Sequence, residues 1–371
     1  MRIVALRWSR FRLPFRMPYA TAHGVSTQRG GVILRLRTDA GLEGLGEASL
    51  DPSAPEAGVA AIVDCLRAAA PALIASAGAA TDRPLASLLD GDDAARATRF
   101  AVDTALHDAR GHAAGLPLAA LLTPAYRPAL AVNATIAAAS TEAAVAAAHA
   151  ARAAGFGTVK LKVGLEATVA AELARVAAVR AAIGPDRKLR LDANGAWDEA
   201  TAIETVCALG ACDIELIEQP VHGDLAALAR VRAAVATPIG ADEDVVGPAS
   251  ARAILAADAA DLLVLKPMRL GGIDVTRAVA AAAAAAGAAV IVTTTIDTGV
   301  ATAAALQLAA TLPLDGPAHG LATASLLAAD LLRAPLPVEG GVMRLPAGPG
   351  LGIELDEAQL GRYVVDEGSV P

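Results

Sequence analysis

The chain contains five short apolar segments that each end in a charged residue and recur at a nearly constant interval. The terminal charges are Lys162, Asp192, Glu218, Asp242 and Lys266, at successive intervals of 30, 26, 24 and 24 residues. An interval of this size accommodates one strand, one helix and two loops. Strands that alternate with helices form a parallel sheet, and this many units predict a closed (β/α) barrel.

The segments between these charges support the same interpretation. They are rich in alanine and have the length of helices, over residues 166–183, 198–209, 223–235 and 248–257. A first barrel strand is predicted near Ala129, a seventh ends in residues 293–297, and a short eighth covers residues 318–323. We therefore predict an α/β fold, a modified TIM barrel of the (β/α)7β type, over residues 126–323.

Residues 1–125 are predicted to form a smaller α+β domain before the barrel. Strands are expected over 2–11 and 31–48, with a turn at 38–41, and helices over 54–77 and 92–114. The glycines at 41, 44 and 46 do not match a dinucleotide-binding fingerprint, and no helix follows them at once. The last segment, 324–371, is predicted to return to this domain.

The charged strand ends predict a site, because residues at the carboxyl ends of barrel strands converge on one mouth. Lys160 and Lys162 point to the same face of their strand; alone, they also fit a solvated edge strand. Asp192, Glu218 and Asp242 lie on consecutive strands, and three carboxylates without histidine or cysteine suit Mg²⁺, with Mn²⁺ as an alternative. Each charge could separately be a surface residue, but the ordered set favours one metal site.

A divalent metal flanked by lysines suits removal of a proton next to a carboxylate. The enediolate that forms needs concentrated positive charge, which a metal supplies as a Lewis acid. The base must be a neutral lysine. We expect Lys160, Lys266 and the metal to lower the pKa of Lys162 for this purpose.

The order of these motifs resembles the muconate-lactonizing subgroup of the enolase superfamily. The motifs are Lys-x-Lys at 160–162, Asp-x-Asn at 192–194, Glu-Gln-Pro at 218–220, Asp-Glu at 242–243, Lys-Pro at 266–267 and Gly-Gly-Ile at 271–273. The resemblance covers nearly the whole chain. It implies that the N-terminal domain caps the barrel mouth and that its loops, here Tyr19–Arg29 and Glu47–Asp51, select the substrate.

The same resemblance implies a role for each residue of the site. Lys162 is the main base, Lys160 tunes the site, and Lys266 on the opposite face acts as acid, second base or cationic stabiliser. The Mg²⁺ ligands are Asp192, Glu218 and Asp242. Asn194 and Glu243 support these ligands.

Three features resemble the o-succinylbenzoate synthases within this subgroup. They are Thr-Thr-Thr-Ile-Asp at 293–297, Gly-Leu-Ala-Thr at 320–323 and Thr-Gln-Arg-Gly-Gly at 27–31, although Asp297, Ala322 and Asp244 depart from the usual residues. The resemblance implies a Mg²⁺-dependent syn dehydration in menaquinone synthesis. Candidate substrate contacts are Arg29, Asn133, Thr293, Thr294 and Asp297. For Arg29, a carboxylate clamp and a solvated hairpin charge are equally favoured.

The sequence is also compatible with other activities. Racemisation of an N-acylated amino acid or epimerisation of a dipeptide would use both lysines, but the Asp-x-Asp pair of dipeptide epimerases is missing from the eighth strand. A muconate-type cycloisomerase is a third enzymatic alternative. A barrel that binds a small acid without converting it is disfavoured, since a binder has no need of a base.

The composition limits the classes of partner that we expect the protein to bind. The net charge is −8 and no basic patch stands out, which argues against nucleic acid. The three cysteines show no metal or redox spacing, and the apolar run at 279–292 reads as a helix entering a strand, so no membrane partner is expected. The N-terminus lacks the apolar core of a signal peptide. We expect a cytoplasmic protein with a small carboxylate substrate, and a homo-oligomer is left open.

Overall fold

A computed structural model describes residues 1–54, 56–75, 85, 89, 91–312 and 316–371. The N-terminal domain contains the strands β1 (Ile3–Thr21), β2 (Gly24–Thr38) and β3 (Glu43–Ser49) and the helices α1 (Glu56–Ala75), α2 (Asp93–Ala114) and α3 (Leu118–Leu122). The three strands form an antiparallel meander. This domain has the predicted α+β composition, and both long predicted helices are present.

The first two strands extend further than the sequence pattern predicts. The segment expected to be a loop, Tyr19–Arg29, is the end of a long hairpin in which β1 runs to Thr21 and β2 starts at Gly24. Pro14 and Pro18 break the alternation of the sequence, but a register shift between Pro14 and Tyr19 lets the pairing continue. The hairpin therefore carries the tip of the N-terminal domain over the barrel mouth.

Two of the N-terminal glycines allow α2 to lie directly on β3. A Cβ atom at Gly44 would lie 1.9 Å from the carbonyl oxygen of Ala105, and one at Gly46 would lie 2.0 Å from that of Ala101. Close backbone approach, and not nucleotide binding, accounts for glycine at these positions.

Helix α1 is long and apolar enough to cross a membrane by length and composition. One face of it, which includes Ile62, Leu66 and Leu73, is buried in the core of the N-terminal domain. That packing is typical of a core helix.

The barrel follows the predicted alternation of strands and helices. Its elements are β4 (Ala129–Ala131), β5 (Ala134–Ile136), α4 (Thr141–Ala153), β6 (Thr158–Lys162), α5 (Val169–Ile183), β7 (Lys188–Asp192), α6 (Glu199–Ala208), β8 (Ile214–Glu218), α7 (Leu225–Ala234), β9 (Ile239–Ala241), α8 (Pro248–Ala256), β10 (Leu262–Leu265), α9 (Pro267–Leu270), α10 (Ile273–Ala285), β11 (Ala289–Val292) and α11 (Gly299–Ala309). Strands β5 to β11 form one parallel sheet in sequence order.

The eighth strand closes the barrel with two bridges. His319 pairs with Val132, and Gly320 pairs with Thr293, both in parallel orientation. A core of aliphatic side chains, drawn mainly from Val, Leu, Ile and Ala, fills the space between strands and helices. The predicted (β/α)7β barrel is confirmed.

The C-terminal segment divides between the two domains, whereas the sequence assigned all of it to the N-terminal domain. After the short helix α12 (Glu357–Tyr363), β14 (Val364–Val370) pairs with β1 as predicted. The preceding hairpin, β12 (Val338–Glu339) and β13 (Val342–Arg344), instead pairs with β4 at the start of the barrel. Gly340 and Gly341, both with positive φ, form its two-residue turn.

Candidate active site

The two lysines of β6 are buried and do not lie on a solvated edge. Lys160 and Lys162 are 7% and 6% exposed. Lys160 Nζ donates to Asp192 Oδ2 at 2.8 Å and to Glu218 Oε1 at 3.0 Å. Lys162 Nζ donates to Asp192 Oδ2 at 2.6 Å. A buried ammonium group needs such partners, because desolvation of an unpaired charge is costly.

Three carboxylates from consecutive strands lie together, as the spacing predicts. Asp192 and Glu218 end β7 and β8, and Asp242 follows β9. Each offers one oxygen atom, and these oxygens lie within 4.8 Å of one another. All three side chains are buried, and Lys266 Nζ donates to Asp242 Oδ2 at 2.5 Å on the far side of the group.

The charges of the site shift the pKa values of its members. Burial acts to lower the pKa of Lys162, but the carboxylate of Asp192 raises it well above its usual range. Burial acts to raise the pKa of Asp192, but the charges of Lys160 and Lys162 outweigh it and lower that pKa. Burial and the charge of Asp192 raise the pKa of Glu218. Direct contact between the carboxylates and the lysines accounts for these directions. The predicted lowering of the Lys162 pKa includes the charge of a metal ion bound to the carboxylates, and it stays a prediction.

The three carboxylates fit a divalent cation. The set offers only oxygen ligands, which suit a hard ion. Asp242 Oδ1 is buried and has no hydrogen-bond partner within the described chain. An unsatisfied buried carboxylate oxygen is unfavourable unless a cation or water contacts it. The geometry therefore leaves Asp242 Oδ1 available as a ligand for a cation.

Asn194 links Lys162 to Glu243. Its Oδ1 accepts from Lys162 Nζ at 2.8 Å, and its Nδ2 donates to Glu243 Oε1 at 2.9 Å. Its φ of +46° is a left-handed conformation that asparagine tolerates. The structure thus brings both predicted supporting residues to the site.

Gln219 and Asp244 form a further support that sequence reasoning did not assign. Gln219 Oε1 accepts from the backbone N–H of Asp242 at 2.7 Å, and its Nε2 donates to Asp244 Oδ2 at 2.7 Å. Asp244 Oδ1 also lies 2.7 Å from Nδ1 of the exposed His222. The signals in the sequence were the glutamine directly after Glu218 and the extra aspartate after Asp242-Glu243.

A cavity opens above the lysines. Its floor includes Lys160, Lys162 and Lys266, while hydroxyl groups dominate the barrel wall. The N-terminal domain provides the remaining wall with Tyr19, Thr21, His23, Asp51 and Pro52. Basic and hydroxyl groups together suit an anionic substrate with further polar groups.

The structure separates the predicted substrate contacts into two groups. Thr293 and Thr294 line the cavity. Asn133 is outside the lining, but its Nδ2 donates to Oγ1 of Thr135, which lines it.

Arg29 and Asp297 occupy a different place from the one predicted. They form a buried ion pair with Nη2 and Oδ1 3.1 Å apart, and neither lines the cavity. Each nitrogen of Arg29 donates to a protein group and the residue is buried, so the geometry fits neither the carboxylate clamp nor the solvated hairpin charge. The sequence could not show this, because Arg29 and its partners come from distant parts of the chain.

Comparison with known proteins identifies the superfamily to which the chain belongs. Residues 3–123 match the mandelate racemase / muconate lactonizing enzyme N-terminal domain, and residues 142–359 match the enolase C-terminal domain-like family. The chain belongs to the enolase superfamily, in the muconate-lactonizing subgroup, and is an enzyme of that superfamily.

Individual relatives have different activities. The chain is 33% identical to L-Ala-D/L-Glu epimerase of Bacillus subtilis, over 95% of this chain and 97% of the relative. It is 38% identical to o-succinylbenzoate synthase of Thermobifida fusca, over 70% of this chain and 78% of the relative. The structure of muconate lactonizing enzyme from Pseudomonas fluorescens with muconolactone superimposes with a TM-score of 0.92 at 30% identity, over 98% and 99% of the two chains.

Proposed function

We propose that the protein is an o-succinylbenzoate synthase, which dehydrates the succinyl-hydroxycyclohexadiene carboxylate of menaquinone synthesis. The observation that carries this proposal is the cavity wall at the ends of β11 and of the eighth strand, which Thr293, Thr294, Thr295 and Thr323 form with uncharged hydroxyl groups. Among the described residues, the eighth strand adds no carboxylate to the lining, so this wall does not provide the counter-charge that a substrate ammonium needs. The similarity to the Thermobifida fusca enzyme supports the same substrate.

Lys162 and Lys266 act on different faces of the substrate. Lys162, as the neutral amine, removes the proton α to the carboxylate. It then returns that proton to the departing hydroxyl on the same face, so that water leaves and the ring becomes aromatic. Lys266 stabilises negative charge from the other side, and Lys160 holds Asp192 and Glu218 in place.

The carboxylates of Asp192, Glu218 and Asp242 would hold Mg²⁺, with Mn²⁺ as a substitute. The ion supplies Lewis-acid stabilisation of negative charge on the substrate carboxylate. Asn194 is hydrogen-bonded to both Lys162 and Glu243. These bonds fix the position of Lys162 relative to the carboxylates that would hold the ion.

Loss of diene absorbance on incubation with the cyclohexadiene carboxylate and Mg²⁺ tests the proposal. We expect rapid conversion that EDTA abolishes and added Mg²⁺ restores. Absence of conversion in the metal-loaded enzyme would reject this substrate, while the metal site and the family assignment would stand.

Lys162→Ala should reduce turnover by at least about 10⁴-fold, since the reaction then lacks its base. The measurement is kcat with the cyclohexadiene carboxylate, alongside circular dichroism to confirm folding. Lys188→Ala is the matched control, because Lys188 lies at the opposite end of the neighbouring strand and pairs with Glu215. Activity retained in the Lys162 variant would exclude this residue as the base.

Racemisation of an N-acylated amino acid is the second candidate. Lys162 and Lys266 both line the cavity from different strands, and 1,1-proton transfer needs an acid and a base on opposite faces. The similarity to the Bacillus subtilis epimerase supports it. Exchange of the substrate α-hydrogen in D₂O, from both enantiomers, would show this activity; exchange from neither would exclude it.

A further inference from the structure

Ile296 has a backbone conformation that its side chain disfavours. Its φ is +64°, in the left-handed region, where a β-branched residue is a genuine outlier. The other non-glycine residues with positive φ in the described chain are Asp, Asn or Gln. Ile296 is 6% exposed and lines the cavity above the lysines. Strain of this kind persists when surrounding contacts enforce it, and it is concentrated at functional sites.

Arg29 of the N-terminal domain contacts this segment directly. Its Nε donates to the carbonyl oxygen of Ile296 at 2.8 Å. Its Nη2 donates to Thr295 Oγ1 and to Asp297 Oδ1, each at 3.1 Å. One planar guanidinium therefore binds three consecutive residues of the loop after β11, and its fixed fork sets their relative positions.

The same guanidinium is anchored on the other side by its own domain. It donates to the carbonyl oxygen of Leu50 and to Ser49 Oγ at the end of β3. Ser49 Oγ in turn donates to Asp297 Oδ1 at 3.0 Å. Arg29 is 1% exposed, so these bonds form without competition from water.

We propose that Arg29 is a positioning residue that holds the Thr295–Ile296 wall of the substrate cavity in its left-handed shape. When Arg29 is replaced, the backbone of Ile296 relaxes to negative φ and its side chain moves relative to the substrate. The lysines and carboxylates belong to other strands and keep their positions. Loss of Arg29 therefore weakens substrate binding and leaves the proton-transfer step largely intact. The kinetic part of this inference rests on the proposed function.

The test uses Arg29→Lys, which keeps a positive charge beside Asp297 but loses the fork. Each of wild type and this variant is combined with Ile296→Gly and with Ile296→Ala. Both substitutions remove the isoleucine side chain, but only glycine adopts positive φ without cost. The Gly and Ala versions therefore differ in backbone preference and hardly at all in contacts with the substrate.

We expect Arg29→Lys to raise KM about tenfold with kcat changed less than about threefold. When combined with Arg29→Lys, Ile296→Gly should have a KM at least about fivefold below that of Ile296→Ala. In the wild-type background the two should agree within about twofold, because Arg29 enforces the conformation. Equal KM for the two double variants, or a loss confined to kcat, would overturn the proposal.

Amide hydrogen exchange tests the inference without any substrate. Arg29→Lys should accelerate exchange at 293–298, and Ile296→Gly should restore part of the protection where Ile296→Ala does not. Residues 158–162 should be unchanged. This pattern would persist if the enzyme fails to convert the cyclohexadiene carboxylate, so the two proposals fail separately. Unchanged exchange at 293–298 would overturn the role of Arg29.

Discussion

Asp244 is connected to the proposed metal ligands through one intermediate side chain. It accepts from Gln219 Nε2, and Gln219 Oε1 accepts from the N–H of Asp242. Gln219 is fully buried, with a φ of +40°, and directly follows Glu218. The amide group of Gln219 therefore fixes the positions of Glu218 and Asp242, which lie at the ends of neighbouring strands. Asp244 determines the orientation of that amide group.

Asp244→Ala should weaken Mn²⁺ binding about tenfold or more, because the freed amide no longer fixes the position of Asp242. Electron paramagnetic resonance of free Mn²⁺ measures the dissociation constant directly. Asp244→Asn is the matched variant, since it keeps an acceptor oxygen for Gln219, and it should lose less affinity. An unchanged dissociation constant for the Ala variant would contradict this coupling.

Glu47 is a fully buried acid that the sequence placed in a substrate loop. Its carboxylate accepts from Thr298 Oγ1 and from the N–H groups of Thr298 and Ala301, at the start of α11. Burial, followed by the nearby charge of Asp297, raises its pKa to about 7. The group therefore joins the two domains and does not contact the cavity.

Glu47 should make the protein less stable as the pH rises from about 5 to 8. Its folded pKa lies above the ordinary value of 4.5, so the folded state binds more protons in this range. The stabilisation is present below the unfolded pKa and is lost as the pH rises through the folded pKa. The shift corresponds to about 3 kcal/mol. Urea unfolding should show this loss relative to Glu47→Gln; parallel pH profiles for the two proteins would disprove it.

At the scale of elements, the contact between α2 and β3 is made by backbone. Gly44 and Gly46 permit it, and Ala101 and Ala105 are the small residues on the facing helix. In a protein with 2% aromatic residues, close approach of this kind replaces the filling of space by large side chains.

Gly46→Ala should destabilise the protein by about 1–3 kcal/mol or more, because the added methyl group would overlap the carbonyl of Ala101. Urea denaturation provides the measurement. Gly210→Ala is the control, since a Cβ atom there would meet nothing within 4 Å. Equal stability of the two variants would mean that α2 moves away without cost.

At the scale of the whole molecule, the C-terminal end of the chain completes the sheet of the N-terminal domain. β14 adds the outer strand beside β1, and Gly368 lies against Trp8, where a Cβ atom would come within 2.3 Å of the indole. The core of the N-terminal domain also includes barrel residues such as Met268, Ile273 and Ile296. The domain that covers the mouth is therefore completed by residues from the middle and end of the sequence.

Removal of residues 364–371 should loosen the N-terminal domain and spare the barrel. Hydrogen exchange should rise in residues 6–11, which lose their partners in β14, and stay unchanged in 158–162. The midpoint of thermal unfolding should also fall. If residues 6–11 keep their protection, the outer strand contributes little to this sheet.

The sequence predicted the barrel and the charged site because both follow from local, repeated patterns. The strand ends at Lys162, Asp192, Glu218 and Asp242 needed no knowledge of distant contacts, since a parallel barrel brings successive strand ends together. The hairpin at Tyr19–Arg29 was missed, because Pro14 and Pro18, just before it in β1, disrupt the alternation that identifies a strand.

By itself, the sequence determined the fold class, the order of the ligands and the positions of the lysines. Only the tertiary structure decided the roles of Arg29, Asp297, Glu47 and Gln219. Their partners lie up to 268 residues away in the chain, as with Arg29 and Asp297. A buried charge is identified by what surrounds it in three dimensions, and no periodicity in the chain encodes that environment.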